Sequence, residues 1–154
     1  MATYVAFLRS LYLIHQNAHW TTKGTNFYGN HLLFERLYKA AADNSDAAAE
    51  KAIGIFGNDT IDLGTQAVLI NKIIIKYSSL VKPEDPISLI AASLQAEQAF
   101  LALSSNVYKA FEEDGTLTLG LDDLIMSIAN KSEEAVYLLK QVGANKEFEA
   151  AMED

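Results

Sequence analysis

Apolar residues recur at helical spacing along residues 3–23. A second, longer run of the same kind extends from about residue 26 to residue 55, with only Gly24-Thr25-Asn26 between them. Such periodicity predicts amphipathic helices, and so short a turn suits an antiparallel hairpin of the two. Tyr4, Leu8, Leu11, His15 and Ala18 or His19 follow the spacing of the first helix, with Thr3 as its expected N-cap. Gly57 stands where a glycine commonly closes a helix, after the second run.

Residues 58–82 are harder to read. The run Ala67-Val-Leu-Ile-Asn-Lys-Ile-Ile-Ile suits a short buried helix or, from its β-branched residues, a strand. The helix is the better reading because no partner strand occurs elsewhere. The motif PEDP then gives a helix start, with Asp85 as N-cap and Pro86 in the first turn. That third helix is expected over 86–114, before Gly115. A fourth is expected over 121–142, ending at Gly143. Four long helices and one short helix in the crossover make an all-α bundle. Half of the 154 residues are hydrophobic, enough for one core, so 1–154 reads as a single domain.

The chain has no cysteine, which leaves His, Asp and Glu as its strong metal ligands. Its net charge of −8 disfavours nucleic acid as a partner, because phosphate binding needs clustered Lys and Arg. The opening MATYVAFLRSLYLIHQ, interrupted by Arg9, reads as helix rather than signal peptide. No run of eighteen uncharged apolar residues is present, so no membrane span is expected and a cytoplasmic location is favoured.

Five residues form a pattern that packing alone does not explain: His19 on the first helix, and His31, Glu35, Asp46 and Glu50 on the second. The last four fall within about 100° of one another around the helix axis. His31 and Asp46 nevertheless lie roughly 22 Å apart along it, so one metal cannot touch both ends within one chain. In an antiparallel pair of identical helices, residues whose numbers share one sum face each other. His31 with Glu50 and Glu35 with Asp46 share theirs, which places a two-fold axis between Ala40 and Ala41. Each such isologous dimer carries two equivalent sites. The hairpin register likewise sets His19 beside His31. Two His and one Glu from one chain, with Asp and Glu from its partner, suit iron, manganese or zinc, and bridging carboxylates suit a di-metal site. A bundle-centre di-iron site of the ordinary ferritin type needs carboxylates on all four helices. The first helix here has none.

A lone helical His is more often a packed or surface residue than a ligand; the five together, with two matching sums, point to metal. By the same register His15 faces Glu35, where it either orients that side chain or simply packs. Trp20 reads as core rather than as a redox participant. Glu112, Glu113 and Asp114 read as a solvated helix end, and Asp122 and Asp123 as partners of a helix N-terminus.

The stretch NAHWTTKGTNFYGNHLLFERLYKAAADNSDAAAEKAIGIFG resembles the Dps family of mini-ferritins. The family signature H-W-x3-G-x2-F-x3-H-x3-D, followed by D-x3-E, is matched by His19, Trp20, Gly24, Phe27, His31, Asp46 and Glu50. Glu35 departs from it, standing where Asp is usual. The resemblance implies a ferritin-like four-helix bundle and a cytoplasmic homo-oligomer, a hollow dodecamer built from two-fold dimers. Its members bind Fe(II) at inter-subunit di-iron sites, oxidise it with hydrogen peroxide by preference and with oxygen as an alternative, and store the ferric mineral. That activity protects against oxidative stress. Trp20 corresponds to the tryptophan beside that site. The lysine-rich arm that binds DNA in some members is absent from the sequence. The leading expectation is thus an iron-storage ferroxidase. Its rivals are a non-catalytic metal-binding or structural shell loaded with zinc or manganese and, against the charge, a DNA-compacting protein.

Overall fold

In the computed structural model, which describes residues 1–153 and side chains as far as Ala144, the chain folds into five α-helices and one 3₁₀ turn. Helix α1 spans Ala2–Thr21 and α2 spans Phe27–Phe56. The hairpin between them turns at Gly24, whose φ of 100° is a conformation other residues adopt at a cost. Gly57, with φ of 92°, closes α2. A 3₁₀ turn over Asn58–Ile61 leads into α3, Leu63–Ser78. Helix α4 spans Pro86–Glu113, and α5 spans Leu119–Glu153. The expected all-α bundle with an extra helix in its crossover is what forms. Among the described residues no strand occurs beyond a single bridge between Lys82 and Asp85.

Local chemistry explains most boundaries. Asp85 accepts a hydrogen bond from the Ile87 backbone N–H, and Pro86 opens α4, as the PEDP motif predicts. The Asp62 carboxylate accepts from the Thr65 N–H at 2.8 Å and caps α3 in the same way. Three expectations need correction. Met1, not Thr3, is the N-cap of α1. The crossover helix is not buried: only Gln66 and Tyr77 are, whereas Val68 and Ile75 are exposed. Its β-branched run becomes helix because no strand is there to pair with it. Gly143 does not end α5, since it lacks a positive φ and the helix continues beyond it. One glycine inside a helix costs only about 1 kcal/mol.

Helix α1 packs against α2, α3 and α4, while α5 packs against α4 and α2. The core has two apolar clusters. One is built around Tyr4, Phe7, Leu8, Leu11, Phe100 and Ile128, with the Tyr4 and Phe100 rings 5.1 Å apart. The other holds Ala18, Phe34, Leu37, Ile90, Ala135 and Leu139. Where the two clusters meet, three helices carry polar residues: His15 on α1, Ser93 and Glu97 on α4, Ser132 on α5. All four are buried. By length and composition α4 could cross a membrane, yet half of its most apolar stretch lies inside the protein. It is a core helix that carries the buried Glu97.

Helix α2 buries a narrow stripe: Asn30, Phe34, Leu37, Ala41, Asn44, Ala48 and Ala52. The spacing of three and four turns one face inward. The outer face is left free, with Leu32, Lys39, Asp43, Asp46, Glu50 and Ile53 exposed along it.

Candidate metal centre

The α1–α2 hairpin brings His19 and His31 together ring on ring, with centroids 3.7 Å apart and planes 20° from parallel. Each ring is tied to the other residue's backbone. His19 Nδ1 lies 2.8 Å from the His31 carbonyl oxygen, and His31 Nδ1 lies 2.9 Å from the His19 carbonyl oxygen. A carbonyl only accepts, so Nδ1 carries the hydrogen in both rings. Nε2 of each ring is left without a protein partner: among the described residues neither Nε2 makes a hydrogen bond. Backbone carbonyls that fix the tautomer of an imidazole in this way are the usual support of a metal-ligating histidine. Phe27 covers the far face of His31 at 5.1 Å, and Tyr38 meets His19 edge-on at 5.2 Å.

Glu35 lies one helical turn beyond His31. Its carboxylate receives the Lys39 ammonium at 2.7 Å, an i,i+4 pair on the half-exposed face of α2. The hydrogen bond and charge of Lys39, with smaller contributions from His19 and His31, hold the Glu35 carboxyl below the usual glutamate range. An exposed pair of this kind contributes little to stability, so an incoming dication can displace the ammonium. Replacing Lys39 by Met is expected to raise the Glu35 titration midpoint, because the charge that favours the carboxylate is gone. Side-chain carboxyl NMR of the apoprotein across pH reads this directly. An unmoved midpoint would mean that Lys39 does not hold the carboxylate.

Among solved structures, the fold is matched by one described as the structure of Dps from Microbacterium arborescens in the high iron form. The TM-score is 0.62 and the identity 21%, over 93% of this chain and 89% of that one. The chain has the Dps fold. No protein-family model matches the sequence, and no curated protein matches it.

On this Dps-fold chain Asp46 and Glu50 are exposed, well beyond His31 along α2. Among the described residues of one chain, no three His, Asp or Glu side chains converge as a metal-holding group. Two imidazoles and a carboxylate gather at one end of the outer face, and two more carboxylates stand toward the other.

His15 does not face Glu35. It is fully buried and turned into the bundle, with Nε2 2.7 Å from Glu97 Oε1 and Nδ1 3.3 Å from Ser93 Oγ. The other Glu97 oxygen accepts from the Ser132 hydroxyl. The hairpin register sets the height of His15 opposite α2 but not its rotation about the axis. Tyr4, Leu8, Leu11, His15 and Ala18 share the inward stripe, and Tyr12, Gln16 and His19 share the next. Trp20 is not core either: it is 67% exposed and lines a groove with Leu13, Ile74 and Tyr77. Glu97 is not among the residues that spacing singles out, although a lone carboxylate in ISLIAASLQAEQAFLAL, in phase with Ser93 and Phe100, is the signal of a buried charge.

Proposed function

We propose that the protein is a subunit of a hollow iron-storing shell and oxidises Fe(II) at sites shared by two-fold-related subunits. His19, His31 and Glu35 of one subunit, with the partner's Asp46 and Glu50, would hold two Fe(II) ions as substrates. The observation that carries this reading is the reciprocal locking of His19 and His31. Two imidazoles stacked at 3.7 Å, each donating its Nδ1–H to a carbonyl, leave two Nε2 atoms without a partner in the chain. A packing role for these rings requires no such tautomer, whereas metal ligation does.

The chemistry follows from the donor set. Hydrogen peroxide takes one electron from each of two Fe(II) ions; its O–O bond breaks, and with two protons it leaves as two waters. Because both electrons come from iron, no hydroxyl radical is released. Oxygen is the slower alternative oxidant. Three carboxylates offset the added charge as Fe(III) forms, and the half-exposed setting lets the product move on to the mineral store. Assembly into twelve subunits and a cytoplasmic location belong to the same proposal and rest on the sequence resemblance. The charge of −8 per chain supports protection by consumption of peroxide and iron rather than by direct DNA binding.

The test mixes apoprotein with Fe(II) anaerobically, adds peroxide and follows ferric absorbance. Wild type is expected to oxidise iron far faster than a His31→Ala control. Equal rates would favour the non-catalytic shell holding zinc or manganese.

A further inference from the structure

His19 and His31 are not held alike. His31 has His19 stacked on it at 3.7 Å and Phe27 stacked on it at 5.1 Å, with planes 20° and 26° from parallel. Two near-parallel rings at these distances take opposite faces of an imidazole, so His31 is covered on both. His19 has His31 on one face and Tyr38 against it edge-on; among the described residues no ring covers its second face. Phe27 stands one turn before His31, at the i,i+4 spacing where helical side chains meet. Its backbone N–H donates to the Gly24 carbonyl at 3.1 Å, which fixes it at the hairpin turn although the residue is 43% exposed. An apolar ring left that open adds little to the core.

We propose that Phe27 is a positioning residue that clamps His31 against His19 and so aims His31 Nε2 in one direction before metal arrives. The clamp rests on the metal-binding reading given above. The bond from His31 Nδ1 to the His19 carbonyl fixes one atom of the ring. Alone it leaves the ring free to rock about that bond, or to flip and set a carbon against the carbonyl. A ring on each face opposes both motions. Phe27 touches no metal itself; it acts through His31. A ligand ordered in advance loses less freedom on binding, and the difference appears as affinity. His31 is then the fixed end of the site, and His19, open on one face, is the ligand left to adjust.

The experiment uses the assembled apoprotein and Co(II), whose visible spectrum reports ligand geometry. Calorimetry reads affinity. Nitrogen NMR of the apoprotein, above the histidine titration range, reads the tautomer of each ring. Wild type is expected to hold the His31 hydrogen on Nδ1 alone. Phe27→Leu keeps apolar bulk and removes the ring. It is expected to mix the His31 tautomers while leaving His19 as it was, and to shift the Co(II) bands. Co(II) binding should weaken roughly 3–10-fold, the scale of one aromatic pair. Phe27→Tyr should restore all three. In a His31→Ala background Phe27→Leu should cost no further affinity. Equal losses with and without His31 overturn the clamp, as does failure of Phe27→Leu to assemble, since Phe27 would then serve the fold. If wild type binds Co(II) no better than His31→Ala, the metal reading fails and the clamp with it. Normal Co(II) binding in wild type, with tautomers, bands and affinity unmoved in Phe27→Leu, overturns the clamp alone.

Discussion

Subunits carrying His31→Ala, mixed before assembly with subunits carrying Glu50→Ala, are expected to recover ferric formation that neither variant shows alone. In a mixed dimer one site takes His19, His31 and Glu35 from the Glu50→Ala chain, and Asp46 and Glu50 from the His31→Ala chain. That site is intact; its two-fold mate lacks both groups. Loss of even outer-shell support at a metal site commonly costs roughly 10–100-fold, so each variant alone should fall near the uncatalysed rate. A site contained within one chain could not be rescued by any mixing ratio. The geometry favours rescue. The inner stripe of α2 is used by its own bundle, while Lys39, Asp43, Asp46 and Glu50 lie on the free face. Ala40 and Ala42, small and only partly buried, flank the proposed crossing. Ferric absorbance across mixing ratios, with native mass confirming mixed dimers, makes the measurement. No recovery in confirmed mixed dimers would end the shared-site proposal.

Glu97→Ala is expected to destabilise the bundle strongly, by roughly 3–5 kcal/mol. Glu97 is 5% exposed and receives both His15, at 2.7 Å, and the Ser132 hydroxyl. Removing the carboxylate leaves the buried His15 Nε2 and the Ser132 hydroxyl without their partner, and adds a cavity beside the two apolar clusters. Glu97→Gln retains an acceptor for His15 and a side chain within reach of Ser132, so its cost should be much smaller. Replacing His15 and Glu97 together by Leu removes both polar groups and should recover much of the loss, as apolar replacements of buried pairs often do. Urea denaturation at fixed protein concentration separates these outcomes, the concentration being held because assembly adds to apparent stability. A Glu97→Ala variant as stable as wild type would show that the pair does not tie α1 to α4 and α5.

The consequence reaches the candidate site. His15 and His19 are one turn apart on α1, and the pair fixes the rotation of that helix about its axis. His19 is thereby held toward α2 and His31, with its edge on Tyr38. Helix-register arithmetic could not find this link, because register gives heights along neighbouring helices and says nothing of which face turns inward. The same gap explains the misreading of Trp20. Its position beside His19 was legible, but its direction depends on where α3 docks against α1.

Helical spacing, the glycines at 24 and 57 and the PEDP start were enough by themselves to set the α1–α2 hairpin and the start of α4, though not the end of α5 or the exposure of α3. Periodicity and caps are local, and each needs only a few neighbouring residues. Residue type and spacing also singled out His19, His31, Glu35, Asp46 and Glu50, since the numbering of an antiparallel pair encodes which residues share a height. Tertiary structure alone decided three things: the polar layer around Glu97, the exposure of α3 and Trp20, and the carbonyl bonds that leave two Nε2 atoms without a partner. Each depends on contacts between residues distant in the chain, and on side-chain direction, which sequence spacing does not carry.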